Sequence, residues 1–222
     1  MDIVDGQRDH WQKTYEANPM MYGSKGSEPV TFAIKAFTDD KAQKILELGA
    51  GQGRDTLAML HAGLCVTAID YAKAGLDEIG ESVADQDRDR LELLEHDLRN
   101  PLPYEDDTFD GCYSHMLFTM AFSNEELIRL MREVNRVLRK GAQCIYTVRH
   151  TGDVHYGQGE YLGDDRYSNG GFVVHFFDRD TVERLAEGFD LAEVVAFEEG
   201  ELPRQLWLVR QRKIASSKFN DA

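Results

Sequence analysis

Three glycines at alternate positions, Gly49, Gly51 and Gly53, stand between two acidic residues able to bind a ligand, Glu47 and Asp70. Glycine lets the backbone pass close to a ligand, because no Cβ collides with it. A carboxylate at the end of a strand accepts hydrogen bonds from ribose hydroxyls. A second set of residues handles protons and anions. His115, His150 and His175 carry the side chain that takes up a proton near neutral pH. Arg149 and Arg204 carry a planar guanidinium that pairs with carboxylates and oxyanions. Each of these five has a plainer alternative, a half-buried or loop histidine or a surface ion pair.

The first set is positioned by the stretch Lys44-Ile-Leu-Glu-Leu-Gly-Ala-Gly-Gln-Gly-Arg-Asp55. Ile45 to Leu48 reads as a short buried strand and Gly49 to Gly53 as a tight turn. Arg54 to Ala62 has helical spacing, with Leu57, Ala58 and Leu60 apolar. Strand, glycine turn and helix make a floor for a nucleotide-like ligand, and the helix N-terminus offers N–H groups and a partial positive charge. The next strand, Leu64 to Ile69, ends in Asp70. The spacing is G-x-G-x-G, not the dinucleotide fingerprint G-x-G-x-x-G. A turn without a ligand and a nicotinamide or flavin site are the alternatives.

Glu47-x-Gly-x-Gly-x-Gly53 with Asp70 resembles motif I and its partner acid in class I S-adenosylmethionine-dependent methyltransferases. The likeness continues through Pro101-Leu-Pro-Tyr-Glu-Asp-Asp-Thr-Phe-Asp110 and Glu133-Val-Asn-Arg-Val-Leu-Arg-Lys-Gly141, covering residues 45 to 149. It implies an α/β, Rossmann-like fold: a mostly parallel seven-stranded sheet flanked by helices, with the last strand antiparallel. It implies S-adenosylmethionine as cofactor and S-adenosylhomocysteine as product. Glu47, Gly49, Ala50, Gly51, Gly53 and Asp70 would hold the cofactor. Asp97 would accept from the adenine amino group, Tyr71 and Leu98 would flank the ring, and Tyr22 and His115 would lie at the methionine end. The run Gly-Gln-Gly-Arg-Asp55, in a chain this small, looks like the branch that includes tellurite-resistance methyltransferases.

The rest of the chain supplies the surroundings. Residues 7 to 17 have a helical pattern with Trp11 and Tyr15 on one face, ended by Asn18-Pro19. A flexible run to Ser27 precedes a helix from Pro29 to Phe37. Residues 1–40 are expected to form a helical lid, the alternative being an amphipathic helix covering a sheet edge. A helix to about Ala84, a charged turn Asp85 to Arg90 and strands Leu91 to Glu95 and Phe109 to His115 follow. Ser123 and Glu126 form a capping box. The helix it opens shares Leu127, Leu130, Met131, Val134 and Leu138 on one face and is expected to close at Lys140-Gly141. Gln143 to Val148 is the fifth strand.

Residues 149–175 read as a loop insertion in a methyltransferase domain spanning 41–214. It is too polar and glycine-rich for core and too aromatic for an idle linker; long loops at the ligand end of a sheet are usually functional. Val173 to Phe177 is a short β-like run carrying His175. Asp178 caps a helix to about Glu187. Phe189 to Phe197 and Gln205 to Gln211 read as a final hairpin, and 215–222 as a disordered tail. The acceptor is therefore expected between the end of strand four and the insertion. Tyr15, Arg149, Tyr161, Tyr167, His175 and Arg204 would bind it, and His115, His150 and Arg149 would be catalytic.

At 222 residues with a formal charge of −15, the chain reads as one domain whose field repels phosphate backbones, so nucleic acid is excluded as a partner. The first residues lack a basic region followed by an apolar run, and no stretch approaches about 18 apolar residues, so neither a signal peptide nor a membrane is expected. Cys65, Cys112 and Cys144, odd in number and each in a predicted strand, read as small core residues of a cytoplasmic protein without a metal site. The expected partner is a small molecule with an oxygen, nitrogen, sulfur or metalloid nucleophile, methylated by in-line displacement on a monomer or homodimer. An NAD(P)-dependent oxidoreductase and a cofactor-binding protein without turnover are the alternatives.

Overall fold

The structure is a computed structural model that describes residues 3–200 and 204–214. In chain order the strands are β1 (Lys44–Leu48), β2 (Cys65–Asp70), β3 (Leu91–Glu95), β4 (Phe109–Ser114), β5 (Leu138–Arg149), β6 (Glu160–Tyr161), β7 (Arg166–Asn169), β8 (Phe172–His175), β9 (Phe189–Glu199) and β10 (Arg204–Lys213). The α-helices are α1 (Ile3–Ala17), α2 (Glu28–Asp39), α3 (Arg54–His61), α4 (Lys73–Ser82), α5 (Asn124–Val137) and α6 (Arg179–Leu185). Seven strands form one sheet in the order β3-β2-β1-β4-β5-β10-β9. The β1–β2, β2–β3, β1–β4 and β4–β5 pairs are parallel, and β10 runs antiparallel to both neighbours. The expected α/β architecture with an antiparallel last strand is the one found.

Strand alternation sends neighbouring side chains to opposite faces, and both faces are covered. Leu46, Leu48, Cys112, Cys144, Tyr146 and Val148 face α5 and α6, where Leu130, Met131, Val134 and Val182 meet them. Ile45, Tyr113 and Ile145 face the other way, against Val30, Phe37, Met59 and Leu60 of α2 and α3. Each fully buried Leu, Ile or Phe of these layers contributes about 1.5–3 kcal/mol. Gly111 is required by this packing, because a Cβ there would lie 2.7 Å from the Phe37 ring. The helix α2 is thus part of the core, so only α1 and residues 18–26 retain the position of a cover.

Two expectations are corrected. The helix opened by the Ser123–Glu126 capping box ends at Val137, not at Gly141. Its last carbonyls are claimed from outside, by Asp107 N onto Arg136 O at 3.1 Å and Thr108 N onto Val137 O at 2.8 Å. The chain then passes straight into β5, where Gly141 at φ +79° sits in an irregular stretch between Leu138, paired with Phe109, and Gln143, paired with Gly111. The insertion is not an open loop either: β6, β7 and β8 form an antiparallel three-stranded sheet. The tail 215–222 lies outside the described residues. Among the described residues, no helix is long and apolar enough to cross a membrane.

Candidate active site

The C-terminal ends of β1, β2 and β4 open onto a cleft of about 760 Å³. Its floor is the glycine turn. Gly49 N and Ala50 N donate to Ile69 O at 2.8 and 3.1 Å, hooking the turn onto β2. Gly51 N donates to Asp70 Oδ2 at 2.8 Å, and Ala72 N to Asp70 Oδ1 at 2.8 Å. Asp70 therefore orders both flanking loops and offers its remaining lone pairs to the cleft it lines. Gly51 has φ +55°, and Tyr15 Oη lies 3.0 Å from where a Cβ would stand. Gly53, at φ +82°, would put a Cβ 2.3 Å from Ile79 Cγ1 of α4. A side chain at either position would be strained and would collide.

Burial dominates the carboxyls of the floor. Glu47 is pushed well above its ordinary range by desolvation, which the 2.5 Å hydrogen bond from Thr56 Oγ1 only partly offsets. Asp70 is raised by the same cause, against the hydrogen bonds from Ala72 and Gly51. A ligand that donates hydrogen bonds to these carboxylates relieves that penalty. Beside the cleft lies a slot of about 20 Å³ that shares Gly49, Asp70 and Tyr71 with it and adds Asp97 and Leu98. Asp97 is already engaged: Arg99 Nε lies 3.0 Å from each of its oxygens, and Arg99 N donates to Oδ1 at 3.0 Å.

The helix α1 stands over the cleft. Trp11 and Tyr15 pack 5.3 Å apart, and Trp11 meets Phe172 of β8 edge-on at 5.8 Å. The segment after α1 is pinned by the residue between the second and third glycines of the motif. Gln52 Nε2 donates to Asn18 O at 2.8 Å and to Glu78 Oε2 at 2.6 Å, and Gln52 Oε1 accepts from Met21 N at 3.0 Å. Asp55 holds the start of α2 through Ser27 N at 2.7 Å and Ser27 Oγ at 2.8 Å. Tyr22, 40% exposed, sits at the rim with the Arg54 guanidinium 5.6 Å from its ring centre.

His115 directly follows β4 and lines the cleft. Its Nδ1 lies 2.8 Å from Thr147 Oγ1, which also accepts from Met116 N at 2.9 Å. Its Nε2 lies 3.2 Å from Glu199 Oε2. Arg54 Nη2 reaches the other Glu199 oxygen at 3.0 Å. Burial alone would raise the Glu199 carboxyl; hydrogen bonding and charge from His115, together with Arg54, outweigh it and hold it at about 2.

The structure brings Tyr15, Tyr22, Glu47, Gly49, Ala50, Gly51, Gly53, Asp70, Tyr71, His115, Arg149 and Arg204 to the cleft. Asp97 and Leu98 line the adjoining slot; the structure keeps four other expected residues out of both linings and changes the chemistry of a further one. The His150 ring stacks on Trp207 at 4.7 Å, and its Nδ1 accepts from Gly152 N at 3.0 Å. Tyr161 is 60% exposed and packs on Tyr167, which is itself wedged against Tyr156. His175 is buried, with Nδ1 2.9 Å from Phe122 O and its ring stacked on Phe177. On β8 it is Phe172 and Val174 that face the cleft, because alternation points Val173 and His175 into the core. Arg149 lines the cleft but is already neutralised. Its Nε and Nη2 lie 3.1 and 2.6 Å from the two oxygens of Asp153, whose side chain is fully buried. Arg204 is exposed at the rim, and no ion pair to it is found among the described residues.

Sequence reasoning missed Glu199, Arg54, Phe172 and Val174 as cleft residues. Period-two alternation along 172–175 carries a usable signal for the last pair. Glu199 has none, since only the position of the β9–β10 hairpin in the sheet brings it to His115. Among the described residues no group of His, Cys, Asp or Glu could hold a metal ion.

The sequence model of a methyltransferase domain family matches residues 45–141 of this chain. Over 98 residues the chain is 36% identical to a cypemycin N-terminal methyltransferase of Streptomyces sp, covering 44% of this chain and 38% of that protein. Over 106 residues it is 30% identical to a demethylmenaquinone methyltransferase of Clavibacter sepedonicus, covering 46% of this chain and 40% of that protein. The match thus spans about two fifths of either curated relative. The fold superimposes on the 1,6-didemethyltoxoflavin-N1-methyltransferase of Burkholderia thailandensis, solved with 1,6-didemethyltoxoflavin and S-adenosylhomocysteine. That match has a TM-score of 0.76 at 17% identity and covers 95% of this chain and 88% of that one.

Proposed function

We infer that residues 45–141, which match a methyltransferase domain family, form a class I, S-adenosylmethionine-dependent methyltransferase domain, and that this protein transfers a methyl group from that cofactor to a small molecule. The observation that carries the reading is Asp70. It is a buried carboxylate that ties the glycine turn to β2 and still has lone pairs toward the cleft. The cleft is large enough for the cofactor, and Gly51 leaves room where a side chain would intrude. Asp70 would take the ribose hydroxyls, the turn from Gly49 to Gly53 the backbone-lined side, and Asp97, Leu98 and Tyr71 the adenine. Trp11, Tyr15 and Tyr22 would cover the methionine end.

The cofactor supplies a methyl group already activated by its sulfonium. What remains for the protein is alignment of the acceptor at roughly 3–3.5 Å and exclusion of water. Phe172, Val174 and Met120 wall the far side of the cleft with apolar surface, and Arg204 offers a cation at its rim. Where the acceptor must lose a proton, the groups at hand are His115 and Glu199. Arg149, spent on Asp153, anchors the insertion instead of holding an anion. An oxygen, nitrogen, sulfur or metalloid nucleophile fits these walls, and the relatives named above lend no support to the tellurite-resistance branch over the rest.

Calorimetry with S-adenosylhomocysteine and with NADH tests the cofactor. Heat from NADH alone would sink the reading in favour of an oxidoreductase. Release of S-adenosylhomocysteine from S-adenosylmethionine on addition of a metabolite pool tests transfer and separates an enzyme from a cofactor-binding protein without turnover.

A further inference from the structure

The slot beside the cleft holds two polar atoms that no described residue answers. Gln7, on α1, is 2% exposed and lines the slot. Its Nε2 donates to the Val173 carbonyl at 3.0 Å, while its Oε1 is buried without a partner. His96 Nε2, also buried and unpartnered, lines the same slot. Folded proteins leave few buried polar atoms unpaired, and a slot that gathers two of them is short of a ligand's donors and acceptors. The bond to Val173 settles the carboxamide's orientation: its nitrogen must face that carbonyl, so its oxygen is the acceptor left for the slot.

The neighbouring acceptor is in a different condition. Both Asp97 oxygens are engaged by Arg99. An exocyclic amino group brings two N–H donors, and a partly spent carboxylate can answer one of them. Leu98, Tyr71 and Leu117 give the same slot flat or apolar walls, which suit an aromatic base.

We propose that Gln7 is an adenine-reading residue of the cofactor site, its Oε1 accepting one N–H of the adenine amino group as α1 closes on the slot. This rests on the reading of the cleft as an S-adenosylmethionine site. The slot, at about 20 Å³, is smaller than a purine, so α1 or the Leu117 and Met120 side chains move as the base enters. The same carboxamide is bonded to β8, whose Phe172 and Val174 wall the acceptor end. Adenine seated on Gln7 therefore steadies α1 and β8 together.

The test is calorimetric affinity for two ligands, S-adenosylhomocysteine and S-inosylhomocysteine, in which a keto oxygen replaces the amino group. Gln7→Met keeps the length and removes the acceptor. It should weaken the adenosyl ligand about tenfold, or about 1.4 kcal/mol, as expected for one neutral hydrogen bond. It should leave the inosyl ligand within about twofold, since that ligand has no amino donor to lose. The inosyl ligand guards against a folding defect, since its retained affinity shows that Gln7→Met is folded with an intact cleft. Equal losses for both ligands, or none for either, would overturn the assignment while leaving the cofactor reading intact. Wild-type protein that binds neither ligand would remove both.

Discussion

Nε2 of His115 lies 3.2 Å from Oε2 of Glu199, joining the end of β4 to the tip of the β9–β10 hairpin across the cleft. Thr147 holds the other ring nitrogen, and Arg54 holds the other carboxylate oxygen. The imidazole is thereby fixed in plane, with an ionised carboxylate at its outer nitrogen. Both ring nitrogens are engaged, and Glu199 supplies a fixed negative charge beside the cleft.

Glu199→Gln removes the charge and keeps the shape. If the pair handles an acceptor's proton, kcat should fall by roughly 10–100-fold, with S-adenosylhomocysteine affinity unchanged. His115→Asn should act at least as strongly. Kinetics at wild-type level in both variants would make the pair a structural clasp.

Asp70→Ala removes the acceptor for ribose and also the clasp on Gly51 N and Ala72 N. Cofactor affinity should fall tens- to several hundred-fold, or roughly 2–4 kcal/mol. A smaller loss in stability should accompany it, read as a shifted urea midpoint. Gly51→Val should be as damaging to binding, because a side chain at φ +55° is strained and meets Tyr15. Unchanged affinity in Asp70→Ala would refute the assignment of the cofactor floor.

Arg149 and Asp153 form a buried pair, in which Arg149 also stacks over Phe176 at 5.0 Å. Burial would raise Asp153; hydrogen bonds from Arg149 and from the His155 and Gln205 amides bring it down to about 2. Asp153→Ala leaves the guanidinium buried and unpaired, and should cost roughly 3–5 kcal/mol. The double variant Arg149→Met with Asp153→Ala should recover part of that. Denaturant unfolding of the two variants checks both, and an undiminished midpoint in Asp153→Ala would show the anchor to be idle.

Burial lowers the His175 imidazole to about 4, against an ordinary value of 6.5. Between those values the unfolded chain binds a proton that the native protein does not. Stability should therefore fall as pH drops from about 6.5 to about 4, by up to about 1.4 kcal/mol per pH unit and on the order of 3 kcal/mol in all. Replacing His175 by Phe should flatten this window. Urea midpoints at about pH 7.5 and about pH 5 measure it, and a wild-type midpoint that does not move would contradict it.

The helix α1 and residues 18–26 are proposed as the cover. Cofactor should protect them from hydrogen exchange, because Gln52, Tyr15 and Trp11 join the glycine floor to that segment. Protein lacking residues 1–26 should bind S-adenosylhomocysteine far more weakly. Normal binding and turnover by that truncated protein would exclude a lid.

What the sequence determined by itself is contiguous. The run from Ile45 through Gly53 to Arg54, the acid closing β2, the Ser123–Glu126 cap and the Asp178 cap each depend on residues a few positions apart. Short-range sterics and local hydrogen bonds dictate such elements, so they are legible in the chain. Closure of the α5 helix was misplaced because its carbonyls are taken by Asp107 and Thr108, from a distant loop. The acceptor side was decided only in three dimensions. The docking of β8 set the Val174 face, not the His175 face, against the cleft; the burial of Asp153 consumed the charge of Arg149; and the insertion of β10 beside β5 carried Glu199 to His115. Each of these turns on which distant group arrives first at a polar atom or a face. A side chain's type states what it can bind, and long-range pairing decides what it does bind.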